Sequence, residues 1–465
     1  MAKPKLYKLL GKLEKGEIRQ LRKWLTSPFV TRRTDVGLLF ELLMECQKKG
    51  KPFPNKPEIH QQLFPDKPFR ALRVRATMSD LQEMIEAFLL LSFVGNNPVQ
   101  AKLTLSQIYR KRALPKHFLH TSKEARQVLS EQPHRNANYY QKLLDYESEM
   151  LQFQSANRRT GELNLQDISN HIDILFLIQK LRHCCTLLTH EQVYKTTYDQ
   201  GLLQSVLEEI EKKGYLDIPA VAIYYYCYRF LTEQYKLIHF QRFREILAGF
   251  AHQFTEQEVR ELYLLAINFC IRKLNEGEEA YGHEGLMLYR QGLQESFLLE
   301  NGHLSRFTFN NIVGSSLRLR EFDWAAQFII DYQDKLEIDH RTSTVNFNLA
   351  RLDYARGHYR NAMILLSTTE FKDMINNLIA KTILLKIYYE LQEYDLLESH
   401  LDNFQSYIRR HQTSDFHQTN YQNIIRLVRK LLALKPGDKE GKTALRQMVE
   451  ETDILSERLW LLEQL

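Results

Sequence analysis

The chain has 465 residues, with 63 Lys plus Arg against 57 Asp plus Glu, and it contains only 18 Gly and 12 Pro. This length is greater than one compact core usually supports, so several domains or a repeat array are expected. A composition of 44% hydrophobic and 26% charged residues excludes a disordered chain, and no apolar run reaches the roughly 20 residues that a membrane span needs.

The N-terminal third is strongly basic. Residues 1–135 contain 26 Lys plus Arg and 12 Asp plus Glu, a net charge of +14, whereas the remainder has a net charge of −8. We therefore divide the chain into a basic helical N-terminal region, residues 1–135, and a second region, residues 136–465. This asymmetry favours an anionic partner for the basic region, most often nucleic acid or a membrane surface. The simpler alternative is that solvated Lys and Arg side chains keep the helices soluble.

Apolar residues recur at helical spacing along almost the whole chain. The segment DVGLLFELLMECQKKG, residues 35–50, shows this period and ends in basic residues and Gly50, which is typical of a helix end. Similar segments continue to the C-terminus, and sustained strand alternation is almost absent. A short run at residues 306–314, RFTFNNIVG, is compatible with either strand or helix. The sequence predicts an all-α protein.

Residues 55–76 are typical of a helix, a tight turn and a longer helix. Asn55 is a good N-cap and Glu58 completes a capping box, so a helix is expected to begin here and to end by Phe64, before a proline. Asp66 is expected to cap the next helix. Two helices joined by a three-residue turn have the geometry of a helix-turn-helix. The sequence therefore predicts a helix-turn-helix-like segment in the basic region.

Four basic residues of this segment are candidate nucleic-acid contacts: Lys67, Arg70, Arg73 and Arg75. On a helix, Arg73 and Arg75 lie about 160° apart on opposite flanks of an apolar stripe, because residues i and i+2 do not share a face. The cations cannot all line one edge of a DNA-reading helix, so a helix packed into the scaffold is the better interpretation. Arg73 fits outward contact best. The apolar stripe consists of Val74, Met78, Leu81, Ile85 and Phe88.

A run of aromatic residues, IYYYCYRF at residues 223–230, surrounds all sides of a predicted helix. Some of its rings must lie in the core, while others can line a groove, since amphipathic tyrosines are favoured in recognition surfaces. The candidate partner-binding residues are Tyr224, Tyr225, Tyr228 and Arg229.

The five Cys are scattered and odd in number, which disfavours a disulfide framework and favours a reducing, cytoplasmic compartment. The N-terminal residues also lack the apolar core of a secretory signal. His183, Cys184, Cys185 and His190 are close in sequence, but on a helix they point in different directions, so no metal site is expected. The sequence contains no motif typical of a cofactor site or a catalytic centre, and we do not expect an enzyme.

Three helical pairs between residues 305 and 410 share a pattern. Phe322, Tyr359 and Tyr394 each follow a turn, at spacings of 37 and 35 residues, and each is followed three residues later by Ala or Leu. This period, with one helix before and one after each turn, resembles the tetratricopeptide repeat. In the second unit the repeat's small and apolar positions are occupied by Leu349, Ala350, Gly357, Ala362 and Leu366.

The resemblance covers about residues 200–430 and is best at 305–410. It implies that antiparallel helical hairpins stack into an α-solenoid with a concave face. It also implies that a peptide or helix of a protein partner binds on that face. The expected function is a non-enzymatic protein–protein interaction scaffold. The alternative is a nucleic-acid-associated regulator that uses the basic N-terminal region.

Overall fold

The computed structural model is predominantly helical, which confirms the predicted all-α class. Helices make up 80% of it. None of the helices in the described part of the chain is long and apolar enough to cross a membrane. The structure describes residues 5–27, 33–157, 161–194, 196–233, 237–369, 373–411, 415–435 and 437–465.

The first of two compact units is formed by Met1–Tyr228 together with Arg242–Gln253. Its complete α-helices are α1 (Lys5–Leu10), α2 (Lys15–Leu25), α3 (Thr34–Lys48), α4 (Lys56–Leu63), α5 (Ala71–Gly95), α6 (Pro98–Lys111), α7 (Pro115–Glu131), α8 (Ala137–Asn157), α9 (Leu165–Tyr194) and α10 (Leu203–Lys212). Helix α8 packs against both α6 and α7, so this unit continues across residue 135. The boundary predicted there marks a change in charge and not a change in packing.

The core of the first unit forms on the predicted apolar stripe of α5. All five residues of the stripe are buried, as predicted, and α5 packs against α2, α3 and α4. Helix α3 ends at Lys48, and Gly50 follows with a φ of 63°, the left-handed conformation that glycine adopts without steric cost. The predicted end of this helix is confirmed.

The connection between α4 and α5 is longer than predicted. The cap of α4 is confirmed, because the Glu58 backbone N–H donates to Asn55 Oδ1 at 3.0 Å and the Asn55 N–H donates to Glu58 Oε2 at 3.0 Å. Helix α5, however, begins at Ala71 and not after Asp66, so the predicted helix start is wrong. The residue before Pro68 is biased away from helical angles, which keeps residues 64–70 outside a helix. The two helices are therefore not joined by a three-residue turn.

The second compact unit is formed by Arg229–Gln241 together with Phe254–Leu465. Two helices, α11 (Pro219–Thr232) and α12 (Leu237–Phe250), each contribute residues to both units. The remaining elements are α13 (Glu256–Asn275), α14 (Glu279–Gln294), β1 (Leu299–Glu300), β2 (His303–Leu304), α15 (Arg306–Arg318), α16 (Phe322–Tyr332), α17 (Ile338–Ala355), α18 (Tyr359–Thr368), α19 (Met374–Glu390), α20 (Tyr394–Arg410), α21 (Asp415–Leu432), α22 (Lys439–Glu451) and α23 (Arg458–Glu463).

The ambiguous run RFTFNNIVG is helical. It lies within α15, which is capped by Ser305, whose Oγ accepts from the Phe307 backbone N–H at 3.3 Å. Strands β1 and β2 form a short antiparallel hairpin immediately before this cap, with Leu299 opposite Leu304. A polar cap and a hairpin turn thus decide the conformation that residue propensity left open.

One type of turn joins the helices of four consecutive hairpins, α13–α14, α15–α16, α17–α18 and α19–α20. In each, one residue adopts a left-handed conformation two residues before the second helix begins. In the third hairpin the N–H of His358 donates to Asp353 O at 2.8 Å, and the N–H of Gly357 donates to Tyr354 O at 3.0 Å. This pair of bonds is the Schellman motif, which satisfies the last carbonyl groups of a helix. The left-handed residues are Gly277, Arg320, Gly357 and Gln392.

The predicted post-turn aromatics begin three of these second helices. Phe322, Tyr359 and Tyr394 are the first residues of α16, α18 and α20. The Tyr354 and Tyr359 rings lie 5.6 Å apart across the turn, and the Tyr389 and Tyr394 rings lie 6.1 Å apart. Tyr359 and Tyr394 therefore pack back onto the helix that precedes the turn.

Candidate partner-binding surface

Helices α15, α17 and α19 are the first helices of three successive hairpins, and each packs against the next. They carry three asparagines that are hydrogen-bonded in a row, in the order Asn348, Asn310 and Asn376. Asn348 Nδ2 donates to Asn310 Oδ1 at 2.6 Å, and Asn310 Nδ2 donates to Asn376 Oδ1 at 3.3 Å. This asparagine row crosses all three helices. Asn310 and Asn376 are half-buried, so the donors and acceptors that their amides do not use within the row can pair with a peptide backbone.

Asn348 is the most buried member of the asparagine row and lies at one end of it, hydrogen-bonded to Asn310. Its side chain has no exposed surface, and its Nδ2 group also donates to Thr344 O at 2.8 Å. Its Oδ1 atom accepts from Arg351 Nη1 at 3.1 Å. A buried amide is costly unless its donors and acceptors are paired. Here the pairing fixes the orientation of the amide and places Arg351 beside the row.

Arg351 is a cation held by neutral groups. Its Nη1 donates to Asn310 O at 3.0 Å, and its guanidinium lies 5.5 Å from the Phe347 ring centroid. No carboxylate of the described residues lies within ion-pair distance of it. Burial therefore lowers the pKa of Arg351 to about 10, against an ordinary value of 12.5. At neutral pH the residue remains a cation without a counter-charge.

Gly314 provides the space that the Arg351 guanidinium occupies. A Cβ at residue 314 would lie 2.6 Å from Arg351 Nη2, which is closer than non-bonded atoms approach. Arg351 Nη1 has its acceptors on α15 and α17, whereas Nη2 and Nε have no acceptor among the described residues. Guanidinium groups use such a fork of donors to bind carboxylates in a bidentate manner.

A cavity of about 420 Å³ lies at the N-terminal end of α15. Arg306, one helical turn before Asn310, extends from this end; its Nη2 lies 3.7 Å from Asp373 Oδ2 and its Nη1 donates to His340 Nδ1 at 3.4 Å. The cavity and the asparagine row therefore share α15. Charged and aromatic side chains that line the cavity are Glu300, His303, Arg306, Phe307, Glu337 and His340.

The predicted tyrosine site is mostly buried. Tyr224 and Tyr225 are 3% and 5% exposed, so the expectation that their rings face a partner is corrected. Helix α11 is enclosed on most of its sides, and Tyr225 OH donates to Glu211 Oε1 at 2.6 Å. Tyr228 is half-buried and donates to Gln200 Oε1 at 3.3 Å, and Arg229 is half-buried and forms an ion pair with Glu233. For Tyr228 and Arg229, partner binding stays a prediction.

The four predicted nucleic-acid contacts differ in their exposure. Lys67, Arg70 and Arg75 are exposed. Arg73, the best outward candidate from the sequence, is half-buried, and its guanidinium lies 5.3 Å from the centroid of the Phe64 ring. One of its terminal nitrogens, Nη1, is buried without a hydrogen-bond partner. Arg73 therefore turns towards Phe64, and three of the four predicted cations remain at the surface.

Sequence reasoning missed the asparagine row and Arg351. Asparagine is disfavoured inside helices, because its side chain competes for backbone hydrogen bonds. The interior positions of Asn310 in α15 and Asn348 in α17 are therefore a signal that was present in the sequence. The pairing itself joins residues 38 and 66 positions apart, which no local pattern contains.

Comparisons of the chain with protein-family models, with curated proteins and with solved structures find no match. The resemblance to the tetratricopeptide repeat rests on the sequence pattern given above.

Proposed function

We propose that this chain is a non-enzymatic protein-interaction scaffold, in which helical hairpins stack into a tetratricopeptide-like solenoid. The ligand is an extended or helical segment of a partner protein that carries a carboxylate. It binds along α15, α17 and α19, on the asparagine row and Arg351. The observation that carries the proposal is the Arg351 guanidinium, which is held by neutral oxygens and has no carboxylate partner in the described chain.

The solenoid is supported by the repeated turn and by the packing of neighbouring hairpins. Left-handed residues at 320, 357 and 392 recur 37 and 35 residues apart, at the spacing of the post-turn aromatics. Helices α15, α17 and α19 pack in sequence, as the first helices of stacked hairpins do. A ligand segment laid across these three helices would meet Asn310 and Asn376, the two half-buried members of the asparagine row.

A carboxylate is the expected ligand group because it would supply the negative counter-charge that Arg351 does not have among the described residues. Opposite charges attract more strongly where water is largely excluded, and a bidentate pair adds directional hydrogen bonds. The half-buried amides of Asn310 and Asn376 can pair with the N–H and C=O groups of the ligand backbone, while the buried Asn348 holds Asn310 and Arg351 in place. Neither asparagine nor a guanidinium transfers protons readily near neutral pH, so this surface is suited to binding and not to acid–base chemistry.

The test is a selection of random peptides displayed on phage against the immobilised full-length protein. We expect the enriched peptides to carry Asp, Glu or a free C-terminal carboxylate. They should bind Arg351→Gln protein about tenfold more weakly or worse, since a hydrogen bond to a charged group contributes about 1.5–3 kcal/mol.

The matched control is Arg360→Gln, which removes an exposed arginine from α18, the second helix of the same hairpin. This variant should retain the peptides. Enrichment of peptides without carboxylates, or equal affinity for wild-type and Arg351→Gln proteins, would contradict the proposal.

A further inference from the structure

The connection between α4 and α5 exposes an aromatic ring among cations. Phe69 is 52% exposed and Leu72 is 76% exposed, and both are large apolar side chains that a fold usually covers. Lys67, Arg70 and Arg75 are exposed beside them. We refer to these five residues as the connection surface. Asp66 is the one acidic residue in the stretch 64–76, so the local charge is strongly positive.

The cations of the connection surface have no counter-charge. None of Lys67, Arg70 and Arg75 forms an ion pair or a side-chain hydrogen bond with any residue that the structure describes. Two arginines elsewhere in the same unit differ in being neutralised: Arg22 Nε lies 2.6 Å from Glu41 Oε1, and Arg110 Nε lies 2.6 Å from Glu149 Oε2. The positive potential of the connection surface is therefore available to a ligand.

Phe69 packs against the buried His60 ring, which in turn contacts the half-buried Phe64. Its ring meets the edge of His60 at 5.4 Å and 75°, and the buried His60 ring lies 5.4 Å from Phe64. The Arg73 guanidinium covers Phe64 at 5.3 Å, and Lys67 Nζ lies 6.0 Å from the same ring. A fixed exposed ring can accept a stacking partner at little conformational cost.

We infer that the connection surface binds single-stranded nucleic acid. Proteins that bind single strands without reading sequence combine cations that follow the phosphates with aromatic side chains on which bases stack. Phe69 supplies the stacking ring, and Lys67, Arg70 and Arg75 supply the cations. Duplex reading is disfavoured, because Arg70 precedes α5, Arg73 turns towards Phe64, and the connection is not the short turn of a helix-turn-helix.

The charge pattern favours nucleic acid over a lipid surface. Helices that lie in membrane interfaces bury a continuous apolar face along several turns. Around Leu72 the sequence RALRVRA instead alternates cations with apolar residues. Val74 is buried in the core, so these residues do not form a continuous exposed apolar face. Nucleic acid offers both kinds of group that this surface can bind, because its phosphates can pair with the cations and its bases can stack on the Phe69 ring. Binding to anionic vesicles is kept as an outcome of the test.

The test measures fluorescence anisotropy of full-length protein with a labelled oligothymidylate of about 20 nucleotides, which covers the site of one binding module. We expect Phe69→Ala to weaken binding about tenfold, the effect of losing one stacked base, and Phe69→Trp to restore it. An abasic strand with the same phosphates should bind wild-type protein as weakly as the normal strand binds Phe69→Ala.

The logarithm of affinity should fall with the logarithm of salt concentration with a slope of about −2, because three cations each contribute about −0.7.

Controls separate a site from general positive charge. Arg70→Gln with Arg75→Gln should reduce the salt slope to about −0.7, the contribution of the one remaining cation. The matched control, Lys111→Gln with Lys116→Gln, removes the same charge from exposed positions at the end of α6 and the start of α7 and should leave affinity unchanged. Four results would overturn the inference: no binding of the single strand, tighter binding of a duplex, equal affinity of Phe69→Ala, or binding of phosphatidylserine vesicles without binding of the oligonucleotide.

Discussion

Arg351 and Asn348 are hydrogen-bonded to each other, but burial has different consequences for the two side chains. The guanidinium loses water on burial and receives only neutral oxygens in exchange, which is costly for a charge. Asn348 is buried and fully paired, and part of that pairing is to the arginine. A buried cation held only by neutral oxygens is expected to contribute little to folding, and the Nη2 and Nε donors of Arg351 have no acceptor among the described residues.

Replacing these two residues should have different effects on the free energy of unfolding. Arg351→Met is expected to change the free energy of unfolding by less than about 1 kcal/mol, because relief of desolvation offsets two lost hydrogen bonds. Asn348→Ala should cost about 2 kcal/mol or more, because it leaves Oδ1 of the half-buried Asn310 without its Asn348 donor and removes one of the two acceptors of Arg351 Nη1. Urea unfolding followed by circular dichroism compares the two. A larger loss for Arg351→Met than for Asn348→Ala would show that the arginine is mainly structural.

His400 makes the second unit sensitive to acid. Burial lowers the pKa of His400 below 6.5, and its Nε2–H donates to Lys381 O at 2.8 Å. Below pH 6.5 the unfolded chain therefore binds more protons than the folded chain, so stability falls as pH falls. We expect His400→Gln to reduce this loss, as measured by urea midpoints at pH values above and below 6.5. His252→Gln, at an exposed histidine, is the control and should leave the pH dependence unchanged.

At the scale of elements, the turns between helices decide the architecture. Four hairpins use a left-handed residue two positions before the second helix, yet only two of the four positions are glycine. A left-handed residue with a side chain costs about 1–2 kcal/mol, and the hydrogen bonds and aromatic packing of the turn must offset that cost. The geometry of the turn is thus imposed by the helices on both sides as well as by residue preference.

Substitutions in these turns should change stability in opposite directions. Arg320→Gly and Gln392→Gly are expected to stabilise the protein by about 0.5–1 kcal/mol, because the left-handed strain is removed at a smaller entropic cost. Gly357→Ala should destabilise it by about 1 kcal/mol for the converse reason. Thermal or urea unfolding measures all three. Destabilisation by Arg320→Gly would show that its side chain contributes contacts that outweigh the strain.

At the scale of the whole molecule, α11 and α12 are each divided between the two compact units. Phe230 and Phe240, which precede the main body of the second unit, belong to it. The Phe230 ring lies 4.9 Å from Phe269, and the Phe240 ring lies 5.4 Å from Phe269 and 5.9 Å from Tyr281. Removing this segment would therefore expose a large buried aromatic cluster.

A pair of fragments tests this assignment. A fragment of residues 229–465 should unfold cooperatively, whereas residues 254–465, which lack both phenylalanines, should be less stable by several kcal/mol, since each buried Phe contributes about 3–5 kcal/mol against truncation. Differential scanning calorimetry and urea titration compare the two. Equal stability would mean that residues 229–241 do not belong to the core of the second unit.

The sequence predicted the helices well and the surfaces poorly. The stripe on α5, the cap at Asn55 and the helix starts at Tyr359 and Tyr394 depend on neighbours within one or two helical turns, so local patterns contain them. The predicted start of α5 is wrong, because Asp66 is a good N-cap by residue type but Pro68 biases the residue before it away from helical angles.

By itself the sequence determined the class of fold, the positions of most helices and the concentration of positive charge in residues 1–135. These properties follow from composition and from the period of apolar residues. Only the tertiary structure decided which polar groups meet, because Asn310 pairs with Asn348 across 38 residues. It also decided which side chains of a uniformly aromatic or basic run remain at the surface. Tyr224 is buried and Phe69 exposed since packing between helices, which composition does not specify, covers one and leaves the other in water.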